Sequence, residues 1–225
     1  MSMFCGRSKD LQKIEAKLCC DEEHRHDSSR KLLFVSGPGG VGKTRLTAKF
    51  AEEKKSFYQG GVYLFNAQST SAFRQSLETN IVESEVCGTS LKSDLSSQYN
   101  FFVHQLQKQK ENVLFLYDSC DKLEIIEKLL PREDEQIHVI VTTRQRDGHY
   151  FLDHSPHKVL HLDVLETDDA VQTLLSWKGY GQNNGGLDDE CKEKSSAKVL
   201  VEQRRRSVVR NTVTCLLNEK RNCKQ

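Results

Sequence analysis

The sequence has no run of 18 apolar residues, only three prolines, one tryptophan and no excess of charge of either sign. A membrane-spanning helix needs about 20 apolar residues, so the missing run argues against one. The net charge of +1 gives no overall attraction to nucleic acid or to a membrane surface. The first twelve residues, MSMFCGRSKDLQ, contain no apolar signal core. We therefore expect a cytoplasmic setting, in which the eight cysteines remain reduced.

This near-neutral balance conceals a basic C-terminal segment. Residues 191–225 carry ten Lys or Arg and three Glu, a net charge of +7, which leaves −6 for residues 1–190. Such a segment is typical of an arm that binds nucleic acid or an acidic partner. No aromatic residue accompanies its arginines, however, so base stacking has no platform there. For the tail over residues 204–225, a solvated, poorly folded end is the favoured interpretation.

Two groups of side chains raise the question of a metal site. Cys19 and Cys20 precede His24 and His26, but their spacing matches no familiar zinc pattern. Four further histidines are scattered through a turn-rich region and one predicted strand, at positions 149, 154, 157 and 161. A solvated linker is favoured over a metal site for the first group.

Residues 37–44, GPGGVGKT, match the pattern G-x-x-x-x-G-K-[ST] at every fixed position. Glycine lets such a loop wrap closely around phosphate, and the helix that follows adds unpaired N–H groups and a positive dipole end. Lys43 is predicted to reach the β- and γ-phosphates, and the Thr44 hydroxyl to ligate Mg²⁺. The alternative is an ordinary glycine-rich turn between a strand and a helix. The full motif in a strand–loop–helix context favours a phosphate-binding loop, or P-loop.

Strands and helices are predicted to alternate along the chain. The apolar patterns predict strands over residues 31–36, 61–66, 112–118, 136–142 and 158–162. They predict helices over residues 8–18, 44–54, 70–86, 91–109, 121–130 and 167–177, and a further one from 187 to about 204. This alternation favours an α/β fold, a parallel sheet with flanking helices. Ligands of such sheets bind at the carboxyl ends of the strands.

Two more polar groups fall at predicted strand ends. Asp118 ends an apolar strand and could hold Mg²⁺ beside the P-loop threonine, the alternative being an ordinary strand-ending Asp at a turn. Arg144 follows the next strand and could report a γ-phosphate, the alternative being an exposed loop arginine. Hydrolytic P-loop enzymes usually need a second acid, and Ser119 follows Asp118 instead. Asp121 is interpreted as the N-cap of the predicted helix 121–130, so any hydrolysis, with Asp118 as a weak catalytic candidate, is expected to be slow.

Together these segments resemble the NB-ARC domain, the nucleotide switch of the STAND class of P-loop NTPases found in plant disease-resistance proteins and the apoptosome scaffold. The resemblance covers about residues 4–203. It is carried by FCGR at 4–7, GPGGVGKT at 37–44, FLYDSCD at 115–121, VTTR at 141–144 and LDVLETDDAVQTLL at 162–175.

The resemblance implies a sheet of strand order 5-1-4-3-2, in which the strand ending in TTR lies between the P-loop strand and the family's Walker B strand, FLYDSCD at 115–121. It also implies tight ADP in the resting state, ATP-driven assembly and an arginine that contacts the γ-phosphate. Mg²⁺ would be held by Thr44 and Asp118, and the base would lie near Cys5 and Arg7. The nucleotide-binding residues would then be Cys5, Arg7, Gly37, Pro38, Gly39, Gly40, Val41, Gly42, Lys43, Thr44 and Arg144.

The expected domains are an N-terminal helix and linker (1–30), a P-loop nucleotide-binding domain (31–162), a partial C-terminal helical subdomain (163–203) and a basic tail (204–225). After residue 203 the family pattern G-x-L-P-L-A-L is absent, because the prolines are at 38, 131 and 156. The winged-helix domain that would follow is absent too. We hypothesise that the chain is truncated or alternatively spliced near residue 203.

The favoured function is an ADP- or ATP-binding molecular switch with a signalling or scaffold role and weak or no hydrolysis. Protein partners or self-association are expected, and contact with a membrane or nucleic acid is not. The alternatives are an active ATPase like the AAA+ machines and a non-functional truncated fragment. A small-molecule kinase is disfavoured, because the sequence shows no sign of an acceptor site or a lid.

Overall fold

The computed structural model describes residues 6–19, 31–84, 94–131, 135–145, 158–177 and 198. Contacts divide the chain into two units. The larger unit is Ser8–Asp163, and the smaller unit joins Met1–Arg7 to Val164–Gln225. The predicted helix over 187–204 and the basic tail lie outside the described residues, apart from Lys198. The same is true of Cys20, His24, His26 and the histidines at 149, 154 and 157.

The larger unit alternates helices and strands, as the apolar patterns predict. Its helices are α1 (Ser8–Cys19), α2 (Lys43–Glu53), α3 (Thr70–Glu83) and α4 (Leu95–Gln107). Its strands are β1 (Leu32–Ser36), β2 (Val62–Asn66), β3 (Val113–Asp118), β4 (Ile137–Thr143) and β5 (Lys158–His161).

The five strands form one parallel sheet of order β2-β3-β4-β1-β5. The P-loop strand β1 pairs with β4, with Ser36 opposite Thr143, and β4 pairs with β3, with Val141 opposite Tyr117. The strand that ends in the TTR segment therefore lies between the other two, which confirms the implied order. Because the strands are parallel, the polar residues that follow β1, β3 and β4 meet at one edge of the sheet.

The central strands are buried on both faces. Every residue of β1 and β4 is buried, as is typical of parallel strands covered by helices on both sides. One face packs against α3 and α4 through an aromatic cluster, in which Phe65 lies 5.0 Å from Phe73 and 5.3 Å from Phe115 between ring centroids. Alternate strand residues point to the opposite face, where α1 and α2 pack. Fully buried side chains on that side include Leu33, Val35, Ile14, Leu18, Leu46 and Ile140.

The predicted helix over residues 121–130 is wrong. The chain there forms two 3-10 turns, Leu123–Ile125 and Glu127–Leu129, and no α-helix. Ile126 and Leu129 are both buried at a spacing of three. That spacing suits the three residues per turn of a 3-10 helix as well as it suits an α-helix, so the apolar pattern cannot distinguish the two.

The described part of the smaller unit consists of residues 6–7, residues 164–177 with helix α5 (Thr167–Trp177), and Lys198. Asp169 in the first turn of α5 accepts a bond of 3.5 Å from the backbone N–H of Arg7, whose φ of 67° is left-handed. Val171 is buried against Ala170 and Leu175. Within the ranges that the structure describes, no helix is both long and apolar enough to cross a membrane.

Candidate functional site

A cleft of about 460 Å³ opens in the larger unit at the carboxyl edge of the sheet. The glycine-rich loop and the first turn of α2 form one side, and the segments after β3 and β4 form the other. The residues on the second side are Ser119, Asp121, Thr143 and Arg144. The volume lies in the range usual for small-molecule sites, and the lining combines both signs of charge with hydroxyl groups.

Helix α2 begins at the cleft without a capping side chain. Gly42 is its N-cap residue, with φ 99° and ψ 20°, a left-handed conformation that glycine adopts at no steric cost. Glycine has no side chain that could accept from the first-turn amides, so the start of α2 presents N–H groups and the positive end of the helix dipole to the cleft. That combination attracts an anion.

At position 37 a glycine is required for a steric reason. A Cβ atom at this position would lie 2.4 Å from the carbonyl oxygen of Leu162. The Gly37 N–H donates to the Thr143 carbonyl at 3.2 Å, and the Leu162 N–H donates to the Ser36 carbonyl at 2.7 Å. The loop is thus held against the ends of β4 and β5, and this close packing fixes where the rest of the loop points.

Lys43, the first residue of α2, folds back over the loop. Its Nζ donates to the carbonyl oxygens of Gly37 at 2.8 Å and Pro38 at 3.0 Å. Burial lowers the pKa of the Lys43 ammonium, and Asp121 and Asp118 oppose that effect while Arg144 adds to it. The Lys43 side chain thus lies in the cleft and is bonded to carbonyl groups of the loop.

Asp118 is the centre of a hydroxyl cluster. Its Oδ1 accepts from Thr44 Oγ1 and from Thr142 Oγ1, both at 2.7 Å, and its Oδ2 accepts from Ser119 Oγ at 3.2 Å. The cluster joins the P-loop helix to β3 and β4. Carboxylate and hydroxyl oxygens are hard ligands of the type Mg²⁺ prefers, so these residues fit a magnesium ion.

Ser119 occupies the position after the strand-ending acid in a left-handed conformation, with φ 59°. Its N–H donates to Thr142 Oγ1 at 2.8 Å, which helps to hold this conformation. The next residue, Cys120, is buried, and burial raises the pKa of its thiol to about 12. The thiol is therefore protonated at neutral pH and no nucleophile.

Asp121 is not the N-cap of a helix, as the sequence pattern led us to expect. Its Oδ1 accepts from the backbone N–H of Arg144 at 2.9 Å, and its Oδ2 pairs with Arg144 Nε at 3.2 Å. The residue before the first 3-10 turn is Lys122, which makes no side-chain capping bond. A contact across 23 residues thus holds a carboxylate in the cleft.

A family model for the NB-ARC domain matches residues 7–184, most of the chain. The chain belongs to the NB-ARC family. The resemblance seen in its motifs is thereby confirmed. No curated protein matches the chain by sequence.

Solved structures share the fold of this NB-ARC chain at low sequence identity. A STAND protein with a tetratricopeptide repeat sensor from Pyrococcus horikoshii is 14% identical with a TM-score of 0.51, and the match covers 90% of this chain and 28% of that one. The Aeropyrum pernix ORC2 protein in its ADP form is 14% identical with a TM-score of 0.54, over 81% and 54% of the two chains. CDC6P from Pyrobaculum aerophilum is 15% identical with a TM-score of 0.53, over 80% and 51%. The chain thus spans about half or less of these structures, and the likeness shows a P-loop NTPase fold.

Most of the site residues predicted for this NB-ARC chain come together at the cleft. Gly39, Gly40, Gly42, Lys43, Thr44 and Arg144 line it, and Asp118 is bonded to Thr44. Arg7 belongs to the smaller unit, where its N–H bonds Asp169, and Cys5 lies outside the described residues.

The sequence did not lead us to expect Thr142 as a partner of Asp118, and it led us to place Asp121 at a helix N-cap. The signal for Thr142 is the register, because β4 runs beside β3 with Val141 opposite Tyr117, which brings the next residue of each strand close together. The sequence contains no comparable signal for Asp121, whose partner lies in another loop.

Proposed function

We propose that this NB-ARC chain is an adenine-nucleotide switch with a signalling or scaffold role and weak or no hydrolysis. The observation that carries the proposal is that a phosphate-binding loop and an arginine line one cleft, while a hydroxyl-bonded carboxylate, Asp118, contacts the cleft residues Thr44 and Ser119. Each has a separate task. The loop would bind the phosphates, the carboxylate cluster would hold Mg²⁺, and the arginine would detect the terminal phosphate.

The phosphate-binding task falls to the loop 37–44. The uncapped start of α2 supplies N–H groups and a positive dipole end, and Lys43 supplies an ammonium already in the cleft. Cβ atoms added at Gly39 and Gly42 would meet nothing within 4 Å, so the loop surface is open on the side where phosphate would lie. Val41 and Pro38 close the turn through a backbone bond of 3.4 Å. Backbone donors of this kind bind di- and triphosphates alike.

Magnesium would be bound by Thr44 and Asp118. The 2.7 Å bond between their oxygens shows that the hydroxyl and the carboxylate already face each other. When bound, the ion would neutralise phosphate charge. Thr142, which bonds the same carboxylate oxygen, would keep Asp118 oriented toward Thr44.

The base would be adenine. The ADP form named for the Aeropyrum pernix ORC2 protein, which shares the fold, supports a purine diphosphate as the ligand. Arg7 and Cys5 are proposed to lie near the base, on the strength of the family resemblance. The division into a nucleotide-binding domain (31–162), a partial helical subdomain (163–203) and terminal segments is proposed on the same ground.

Weak turnover is proposed because the residue after Asp118 is a serine. A neutral hydroxyl cannot accept the proton of an attacking water as a carboxylate does. Ser119 Oγ instead donates to Asp118. Signalling partners or self-association, and a cytoplasmic setting, complete the proposal, since a switch with little turnover acts through what its two states bind.

An active ATPase of AAA+-like type is the second candidate, and the carboxylate of Asp121 in the cleft is the observation that favours it. Phosphate release at steady state distinguishes the two. Turnover near one per second, of the order usual for enzymes, would favour the ATPase.

The test of the proposed switch is titration of the full chain with Mg–ADP and with a Mg-bound, non-hydrolysable ATP analogue. Binding should also raise the unfolding midpoint, because a ligand at a hundred times its Kd stabilises the native state by about 2.7 kcal/mol. The mass of any nucleotide that co-purifies would identify the base. A folded chain that takes up neither nucleotide at millimolar concentration would refute the proposal, and would favour a non-functional fragment.

Arg144→Ala tests the sensing role within this proposal. The variant should lose affinity for the triphosphate analogue by about tenfold or more and for ADP by much less, because a guanidinium–phosphate bond is charge-assisted. Arg74→Ala is the matched control, since Arg74 lies on α3 and bonds Gln98 at 3.5 Å. Equal losses for both nucleotides in Arg144→Ala would remove the sensing role.

A further inference from the structure

Asp121 places a carboxylate in the cleft, and the proposed switch gives it no task. It makes three contacts with one short segment after β4. Its carboxylate accepts from the Arg144 N–H at 2.9 Å and pairs with Arg144 Nε at 3.2 Å, and its own carbonyl accepts from Gln145 Nε2 at 2.6 Å. The Asp121 side chain is thus bonded to the backbone N–H of Arg144 as well as to its guanidinium.

These contacts differ in how easily they break. The Arg144 side chain is 63% exposed and the Asp121 side chain 39% exposed, and ion pairs this accessible to water are weak and screened by salt. The backbone bond needs no side chain of Arg144 to be ordered, and the Gln145 contact holds the backbone of Asp121 from the other side. The guanidinium can therefore leave while the carboxylate stays in place.

We propose that Asp121 holds Arg144 when no γ-phosphate is present and so sets the preference of the site between ATP and ADP. This inference rests on the proposed function, in which Arg144 detects the γ-phosphate. The carboxylate and the γ-phosphate compete for one guanidinium. The phosphate carries more charge and three acceptor oxygens, so it wins the competition, but at the cost of the existing ion pair.

A second unfavourable effect on triphosphate binding remains after the guanidinium has left Asp121. Asp121 remains in the cleft as a fixed negative charge, and because Arg144 is proposed to contact the γ-phosphate, that phosphate would lie near the carboxylate. Lys43 and Asp121 line the same cleft, so the carboxylate and the phosphate-binding lysine face one space. ADP has no phosphate at the position of Arg144, so the penalty applies to the triphosphate.

The decisive variant is Asp121→Asn, measured in the full chain by titration with Mg–ADP and the Mg-bound ATP analogue. Asparagine keeps the shape of the side chain and an acceptor for the Arg144 N–H, but loses the charge. Affinity for the analogue should rise about three- to tenfold and affinity for ADP should change less than twofold, as expected for the loss of one exposed ion pair and one like-charge repulsion. An unchanged ratio of the two affinities would overturn the proposal.

Two further variants test whether the charge of Asp121, and not a change in the fold or in general charge, sets the ratio of the two affinities. Asp121→Glu keeps the charge and should keep the low preference for the triphosphate. Glu124→Gln removes an exposed charge three residues away, outside the cleft, and should leave the ratio unchanged. If Glu124→Gln raised the ratio as much as Asp121→Asn, the effect would be one of general charge, which contradicts the proposal.

The pairing itself is tested in an Arg144→Gln background. Without a guanidinium to hold, Asp121→Asn should shift the ratio less than it does in the parent chain. An equal shift in both backgrounds would show that Asp121 does not act through Arg144.

Weaker binding of the analogue by Asp121→Asn, together with lost phosphate release, would assign Asp121 to metal binding or water activation and overturn the proposal.

Failure of this inference is distinguishable from failure of the proposed function. A parent chain that binds neither nucleotide refutes both. A parent chain that binds both, with a ratio that Asp121→Asn leaves unchanged, refutes only the role of Asp121.

Discussion

The three helices α2, α3 and α4 begin in two different ways. Helix α3 is capped by Ser69, whose Oγ accepts from the Ala72 N–H at 3.1 Å, and α4 by Asp94, whose carboxylate accepts from the Ser97 N–H at 3.1 Å. Helix α2 begins at Gly42, which has no side chain and a left-handed backbone. All three lie in the same unit and have similar lengths.

The two kinds of helix start use their first-turn amides differently: the capped starts stabilise the helix, and the uncapped start can bind a ligand. A capping oxygen satisfies a first-turn amide within the chain, which stabilises the helix and leaves less for a ligand. The start of α2 lacks this stabilising capping bond. Its first-turn amides and positive dipole end therefore remain available to an anion in the cleft. The following predictions test whether the two kinds of helix start respond oppositely to substitution.

The largest effect is expected for Lys43→Ala. Loss of a charge-assisted contact costs about 1.5–3 kcal/mol, so affinity for a nucleoside triphosphate should fall about 10- to 150-fold. The Nζ partners in the free chain are two loop carbonyls, which water can replace, so the unfolding midpoint without ligand should change little. Titration and thermal unfolding measure the two quantities.

Lys49→Ala is the matched control for Lys43→Ala. Lys49 lies on the same helix and pairs with Glu52 and Glu53, away from the cleft lining. Its replacement should leave nucleotide affinity unchanged. An unaltered affinity in Lys43→Ala itself would contradict the phosphate-binding role of the loop.

Gly42→Ala should destabilise the free chain by about 1–2 kcal/mol, because an L-residue in the left-handed region carries that strain. A Cβ at this position would meet nothing within 4 Å, so the loss would come from the backbone and not from a clash. Denaturant unfolding measures it. Gly39→Ala is the control, since its surroundings are equally open and its φ is not left-handed, and an equal loss there would contradict the explanation.

Ser69→Ala should lower the free energy of unfolding by about 1 kcal/mol and leave nucleotide affinity unchanged, the reverse of Lys43→Ala. Ser69→Asn, which retains a capping oxygen, should restore most of the stability. Reduced nucleotide binding in a folded Ser69→Ala chain would show that stability and binding are not separated as the helix starts suggest.

The smallest effect is expected from the pH dependence of the α4 cap. The Ser97 hydroxyl and then the Ser97 N–H lower the pKa of the Asp94 carboxyl. A lowered folded-state pKa means that the stabilisation is present above the unfolded-state pKa, about 3.9, and is lost as pH falls through the folded value. Asp94→Asn should remove this part of the acid dependence in denaturant unfolding between pH 6 and pH 3. Identical pH profiles for parent and variant would contradict it.

The local pattern of the chain was enough to predict the P-loop and all five strands to within one residue at each end. For β1, β3 and β4 the reason is that these strands are buried on both faces, where only short, continuous apolar runs can be accommodated. The loop glycines and Lys43 are adjacent in sequence, so their shared task follows from spacing. The strand order came from the family resemblance, because local pattern does not specify which strands pair.

The segment after β3 shows where such reasoning fails. Residues 121–130 have apolar side chains at a spacing common to two kinds of helix, and an acid at the expected N-cap position. In the folded chain the Cys120 N–H instead donates to the Thr142 carbonyl at 2.8 Å, and Asp121 bonds the loop after β4. These partners are more than twenty residues away, and they capture the groups that would otherwise have started a helix.

The amino-acid sequence by itself determined the parts of this protein that depend on neighbours along the chain. These are the phosphate-binding loop, the buried strands and the carboxylate that ends β3, because glycine conformations, apolar runs and strand ends are local properties. Only the tertiary structure decided that Thr142 orients Asp118 and that Asp121 holds Arg144. Both contacts join loops or strands that meet because the sheet is parallel. Their energies depend on distances in space, and these distances cannot be read from the order of the residues.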